Sequence, residues 1–271
     1  MAYSNFKQTF WSKHIQSQLE KNCVLLEDCD YSFEGEVKHG EKIKILGVGR
    51  PKVSSYDGSD IGLAEAVSDS SVDLIIDQAK YFNFMVDDVD KAQSTPGLME
   101  ALSLESSKAL AEQRDTYVAS LYKDAVNMSA STAVNDSAAA KKLVDAAFEK
   151  LWANGVKIGS DVTVILTPWF YNLFKDALTN LHTDNMSLIE KGIIGLYNGA
   201  AVKISNNLAN DGTDDCMFVK TKRAIAFAGQ IRSMEAYRPE GLFADALKGL
   251  DVYDAKVVKP EEMYVIKAHR A

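Results

Sequence analysis

The chain has 271 residues, 46% of them hydrophobic, with 38 acidic against 30 basic side chains and a formal net charge of −8. That length suits one large or two modest domains with a real core, and the acidic balance excludes a general nucleic-acid binder, which would show a basic excess. No apolar run approaches the roughly 20 residues of a membrane span, and residues 1–22 are polar and amphipathic without a signal-peptide core; the expectation is a cytoplasmically made protein, neither exported nor membrane-embedded.

Residues 5–22 place Phe6, Phe10, Trp11, Ile15 and Leu19 at helical spacings. Such a stripe on a short helix or arm needs a surface to lie on, either its own domain or a neighbouring subunit. Residues 36–46 then alternate as a strand offering Val37, Ile43 and Ile45 to one face, and residues 72–77 read as the return strand. Between them Gly47, Gly49, Pro51, Gly58 and Gly62 mix with Arg50, Lys52, Asp57, Asp60 and Glu65, and "GVGR" at 47–50 reads as a hairpin turn. The tip is too polar to bury itself. An isolated hairpin is marginal in water, so something outside it should support it.

Ser94 as N-cap and Pro96 in the first turn open a helix. Leu98, Leu102, Ala109, Leu110, Tyr117, Leu121 and Ala125 keep to a slowly drifting face. Run to about residue 127, that helix would be about 50 Å long. Residues 128–137 read as a linker by composition. "SAAAKKLVDAAFEKLWANG" is an amphipathic helix stopped at Asn154-Gly155. Residues 161–167 form a short buried strand, and Pro168 starts another helix. "AAVKISNNL" and "CMFVKTKRAIAFAGQ" supply further strands, the second bent at "KTKR". The order predicts an α+β fold around a central sheet.

The chemistry is sparse. Asp87, Asp88 and Asp90 form an acidic knot, but Val89 interrupts it and no Gly follows before Gly97, so it does not fit a calcium loop. Carboxylates placed before a helix gain about 0.3–1 kcal/mol each from its dipole, the preferred reading of the knot. Its rival is a metal-dependent enzyme built on those three acids. His14, His39, His182 and His269 are isolated, with no metal-ligand spacing. Cys23, Cys29 and Cys216 are odd in number and read as free thiols in a reducing compartment. "DGTDDC" at 211–216 carries hairpin-turn chemistry. No phosphate-binding loop or nucleophile elbow is present. No catalytic residue, cofactor site or metal ligand is assigned, and the chain reads as a non-enzyme.

Several stretches carry a family resemblance. "VDLIIDQAKYFNFMVDDVDKAQS" resembles the passage from an extended loop into a spine helix, and "VILTPWFYNLF" the strand and helix of an axial domain. "GLYNGAAVKISNNL" is similar to the pattern G-x-x-x-G-x-x-V-x-x-S-N-x-L, and residues 224–266 resemble the closing strands with their Y-x-x-K-V-x-x-P end. Together these resemble the major capsid proteins of tailed bacteriophages, the HK97-like capsid fold. Asp254 stands where that resemblance leads one to expect Gly, which puts the local turn in doubt.

The resemblance implies an α+β chain divided as an N-terminal arm at 1–34, an extended β-hairpin loop with flanking strands at 35–80, and a peripheral domain with the spine helix at 81–130. An axial domain follows at 131–228, and C-terminal strands return to the peripheral domain at 229–271. It implies self-assembly into hexamers and pentamers of an icosahedral shell, placed in the virion, assembled in the host bacterial cytoplasm, and enclosing double-stranded DNA without sequence-specific binding. Phe6, Phe10, Trp11, Arg50, Lys52, Asp57, Asp60 and Glu65 are then the expected inter-subunit contacts. With no long charged extension before the arm, a separate scaffolding protein or none is expected; portal and decoration proteins are further possible partners. Lys52 sits in a loop suited to covalent crosslinking, but no partner for it can be matched. An encapsulin-like nanocompartment shell is the alternative within the same fold.

Overall fold

A computed structural model describes residues 24–32, 42–48, 69–87, 98–157, 161–178 and 193–271. Its strands in chain order are β1 (Lys42–Val48), β2 (Asp69–Ile75), β3 (Gln78–Asp87), β4 (Asn127–Met128), β5 (Thr132–Val134) and β6 (Val162–Leu166). The remainder are β7 (Ile193–Tyr197), β8 (Ala200–Ile204), β9 (Asp215–Thr221), β10 (Ile225–Tyr237), β11 (Ala244–Val257) and β12 (Met263–Arg270). The helices are α1 (Leu98–Ser120), α2 (Ser137–Ala153) and α3 (Pro168–Leu178).

Every residue of β6 is buried, as a near-continuous apolar run requires when helices cover both faces of a sheet. It sits inside a seven-stranded sheet ordered β4-β12-β9-β6-β8-β7, with β5 also pairing β12. Side chains alternate between two cores. Val164, Leu166, Met217, Val219 and Ile266 pack with Val144, Phe148 and Leu151 of α2 and Phe170 and Phe174 of α3. Ile165, Phe218, Met263 and Val265 pack on the other side with Leu110, Ala111 and Val118 of α1 and with Leu25 and Leu26. α2 starts where predicted: Asp136 caps it by accepting the Ala139 N–H at 2.7 Å, and Gly155 ends it at φ +90°.

A three-stranded sheet, β10-β11-β3, extends from this centre, and β1 and β2 form a separate ribbon. α1 is fastened to the three-stranded sheet by Arg114, whose Nε and a terminal nitrogen donate to both Asp251 carboxylate oxygens at 2.8 and 2.5 Å. The guanidinium lies 5.6 Å from the Phe227 and Tyr253 ring centres.

The structure corrects several sequence expectations. α1 ends at Ser120, tightens into a 3-10 turn at Leu121–Asp124, and gives way to β4 at Asn127. There the Asn127 amide donates to the Met263 carbonyl at 3.3 Å, and pairing with β12 overrides helix propensity. The expected linker at 128–137 contains β5, parallel to β12, and the cap of α2. Gly47 and Val48, expected in a turn, still pair with Ser70 and Asp69. β3, beyond the return strand, pairs with β11 in the three-stranded sheet. The loop around Gly212 (φ +104°) is a tight turn closed by an Asn210–Asp215 bridge, but β8 and β9 on either side of it are separated by β6, so it is not a hairpin. A hairpin with positive φ at Asn198 and Gly199 joins β7 to β8 instead. Asp254 lies inside β11 rather than in a turn. β12 lies in the seven-stranded sheet, between β4 and β9.

Candidate inter-subunit surface

Three features bear on how copies of the chain could meet. The first is the β1–β2 ribbon. Its root is held by its own chain: Ile43, Ile45, Val72 and Leu74 pack with Ile76, Ala226, Ala228 and Val252. This is the external support an isolated hairpin needs. Asp254 fixes the corner where the ribbon turns into β3. Its Oδ1 accepts the Tyr117 hydroxyl at 2.6 Å and the Ala255 N–H at 2.6 Å, and its Oδ2 accepts the Asp77 N–H at 3.4 Å. Burial and this bond to Asp254 push the Tyr117 hydroxyl pKa well above the ordinary tyrosine value. A Gly here could not make these bonds, so the departure noted in the sequence is a tie between spine helix, ribbon and sheet.

The second is the outer face of the three-stranded sheet. Along β3 the pleat sends Phe82, Phe84 and Val86 inward, Phe82 and Phe84 against Leu247, and leaves Tyr81 (78% exposed) and Met85 (59%) outward. Lys248 and Glu235 pair at 2.7 Å on that face, the Lys248 ammonium stands 5.0 Å from the Tyr237 ring centre, and the Tyr237 hydroxyl donates to Asn83 at 3.2 Å. At the tip joining β10 to β11, Leu242 (52%) and Phe243 (81%) stand exposed. Large apolar side chains held outward on this sheet make it a candidate contact surface.

The third is the arm root. Leu25, Leu26 and Cys29 are buried, and a 3-10 turn spans Leu26–Asp28. Asp30 bridges to β10: its N–H donates to the Ile225 carbonyl at 2.9 Å and its carbonyl accepts the Phe227 N–H at 3.0 Å. Lys203, buried on β8, donates to Glu27 at 2.7 Å and lies 3.1 Å from Asp28 Oδ2, a charge contact without hydrogen-bond geometry. Burial opposes its charge, but the Asp28 and Glu27 carboxylates win and raise its pKa. The ammonium of buried Lys220 donates to the Asp28 carbonyl oxygen.

Phe6, Phe10, Trp11, Arg50, Lys52, Asp57, Asp60 and Glu65 lie outside the described residues, as do Asp88, Asp90, Cys23, His14, His39 and His182. Asp87 ends β3 opposite Ala244. Among the described residues no three His, Cys, Asp or Glu side chains gather as a metal site. His269 Nδ1 lies 2.6 Å from Asp214. Cys29 and Cys216 are free and buried, and burial raises both thiol pKa values, Cys216 to about 11. A surface groove of about 470 Å³ beside α2 carries only Glu149 and Lys150 as charged lining. Sequence reasoning passed over Tyr81, Met85, Leu242 and Phe243. The alternation in "YFNFMV" and the Pro239–Gly241 turn signal ahead of Leu242 were the available clues.

No protein-family model and no curated protein sequence matches the chain. Solved structures do. A chain from Mycobacterium phage Che8 is 28% identical over 90% of each chain, with a TM-score of 0.71. The capsid structure of the cyanophage P-SCSP1u is 17% identical, covering 93% of this chain and 90% of its own, at 0.68. A virus-like particle from Pyrococcus furiosus is 11% identical, covering 98% and 100%, at 0.60.

Proposed function

The chain has the HK97-like fold of the major capsid proteins of tailed phages, and on that premise we propose that it is a structural shell subunit that self-assembles through its arm, extended hairpin and three-stranded sheet around double-stranded DNA. The observation that carries this reading is the outward construction of the molecule. The ribbon root is packed and tied at Asp254, while Tyr81, Met85, Leu242 and Phe243 stay exposed. Phe6, Phe10 and Trp11 on the arm and Arg50, Lys52, Asp57, Asp60 and Glu65 on the hairpin are the proposed contacts on neighbours. Each exposed ion pair contributes only about 0–1 kcal/mol, so strength comes from repetition around a closed lattice. Hexamers and pentamers of one chain fit this arrangement.

The test is assembly. Purified protein is followed by size-exclusion chromatography and negative-stain microscopy across ionic strength and concentration. Closed particles are expected; a monomer under every assembly condition would overturn the reading. An encapsulin-like compartment is the second reading, favoured by the end-to-end match to the virus-like particle chain. Nuclease-protected DNA inside particles from infected cells supports the phage shell, and a protein cargo supports the compartment.

A further inference from the structure

Beneath the arm root, Asp115 of α1 is fully buried. Its Oδ2 accepts the Val24 N–H at 3.2 Å, while Oδ1 has no hydrogen-bond partner. The charged groups around it are committed elsewhere. From the root, Glu27 and Asp28 face Lys203 of β8. Lys220 of β9 donates to the Asp28 carbonyl, and Cys29 and Asp30 bring no positive charge. Arg114, next to it on α1, is bound to Asp251. Among the described residues no cation neutralises the Asp115 carboxyl. A buried carboxylate with one bare oxygen is costly, and such a group responds by binding a proton. Lifting the root would return water to it; seating the root takes that water away.

We infer that seating of the arm root is coupled to uptake of one proton by Asp115, so that the root closes more tightly in mild acid and loosens as the pH rises. Burial pushes the carboxyl up from 3.8 to about 6, against the opposing pull of the nearby Val24, Leu25 and Leu26 N–H groups and the Asn207 side chain. The seated state therefore holds a proton over a range where the lifted state has lost it. Seating strengthens as the pH falls through about 6, and the gain is complete below 3.8. If the lifted root restores the ordinary value, the seating constant rises about tenfold from pH 7 to pH 5. Acid thus tightens the anchor of the arm, opposite to the effect expected of a carboxylate held by a cation. The consequence for a shell rests on the self-assembly reading, but the test does not, because it uses the unassembled chain.

Hydrogen-exchange protection factors for Val24–Asp30, with β9 and β12 amides as an internal record of the global fold, are measured between pH 5 and 8 in the full chain. Wild type is expected to gain up to about tenfold protection at the root between pH 7 and 5. Asp115→Asn is expected to show a flat profile. Glu27→Gln is expected to lower root protection at every pH while keeping the slope. A flat wild-type profile, a slope that survives in Asp115→Asn, or one that vanishes in Glu27→Gln would each overturn the inference.

Discussion

Arg114 and Gly249 show how little slack the sheet-to-helix contact has. Arg114 and Asp251 are both buried and bound through two hydrogen bonds. Removing only the cation strands a carboxylate in the interior, so Arg114→Ala is expected to cost about 3–5 kcal/mol in urea unfolding. Replacing the pair with apolar residues of similar volume, Arg114→Met with Asp251→Leu, should recover most of that loss. Gly249 faces Phe82 across the β11–β3 register, and a Cβ there would stand 2.4 Å from the ring. Phe82 itself packs against the core and cannot simply swing aside. Gly249→Ala should therefore destabilise by about 1–3 kcal/mol through overpacking. In a Phe82→Leu background the added penalty should shrink, as thermal unfolding of the four proteins would show.

At the scale of elements, the strongly patterned segments were legible and those set by partners were not. The β6 run, the Pro168 helix start and the Asn154-Gly155 stop carry their own local signals, and the structure follows them. β4 and β5 are two and three residues long. They are strands only because β12, over a hundred residues later, offers them an edge, and no local pattern encodes that. The helix was read too long for the same reason. Asp254 was misplaced in a turn because its role depends on Tyr117 and Asp77, both distant in sequence. Of the candidate contact surface, the sequence pointed to the polar segment 49–65 and the aromatic segment 6–11, both outside the described residues. It hid Tyr81 and Met85, because alternation shows that a strand has two faces without showing which one remains uncovered. The β10–β11 tip offers a clean check at this scale. Leu242→Ser with Phe243→Ser touches no core, so the monomer's stability in thermal unfolding should hold within about 0.5 kcal/mol. Particle yield in light-scattering assays should fall.

For the whole molecule, net charge sets a background against which local contacts must work. Subunits of charge −8 repel one another. Arg50 and Lys52, two of the proposed contacts, are positive groups that would meet a neighbour of the same acidic chain. Arg50→Glu with Lys52→Glu adds repulsion at each copy of the contact. The assembly threshold should rise several-fold even if each pair is worth only about 0–1 kcal/mol, with partial recovery at about 0.5 M salt as screening shortens. An unchanged threshold would remove those two residues from the contact.

β11 spans 14 residues, pairing with β10 on one side and with β3 on the other, and its residues serve three packed clusters. A pull along the strand axis, applied at the Leu242–Phe243 tip, loads the β11–β3 hydrogen bonds in shear and all together. A pull across the axis would peel them one after another. The subunit is therefore mechanically anisotropic, stiffest along the direction in which its longest strand points.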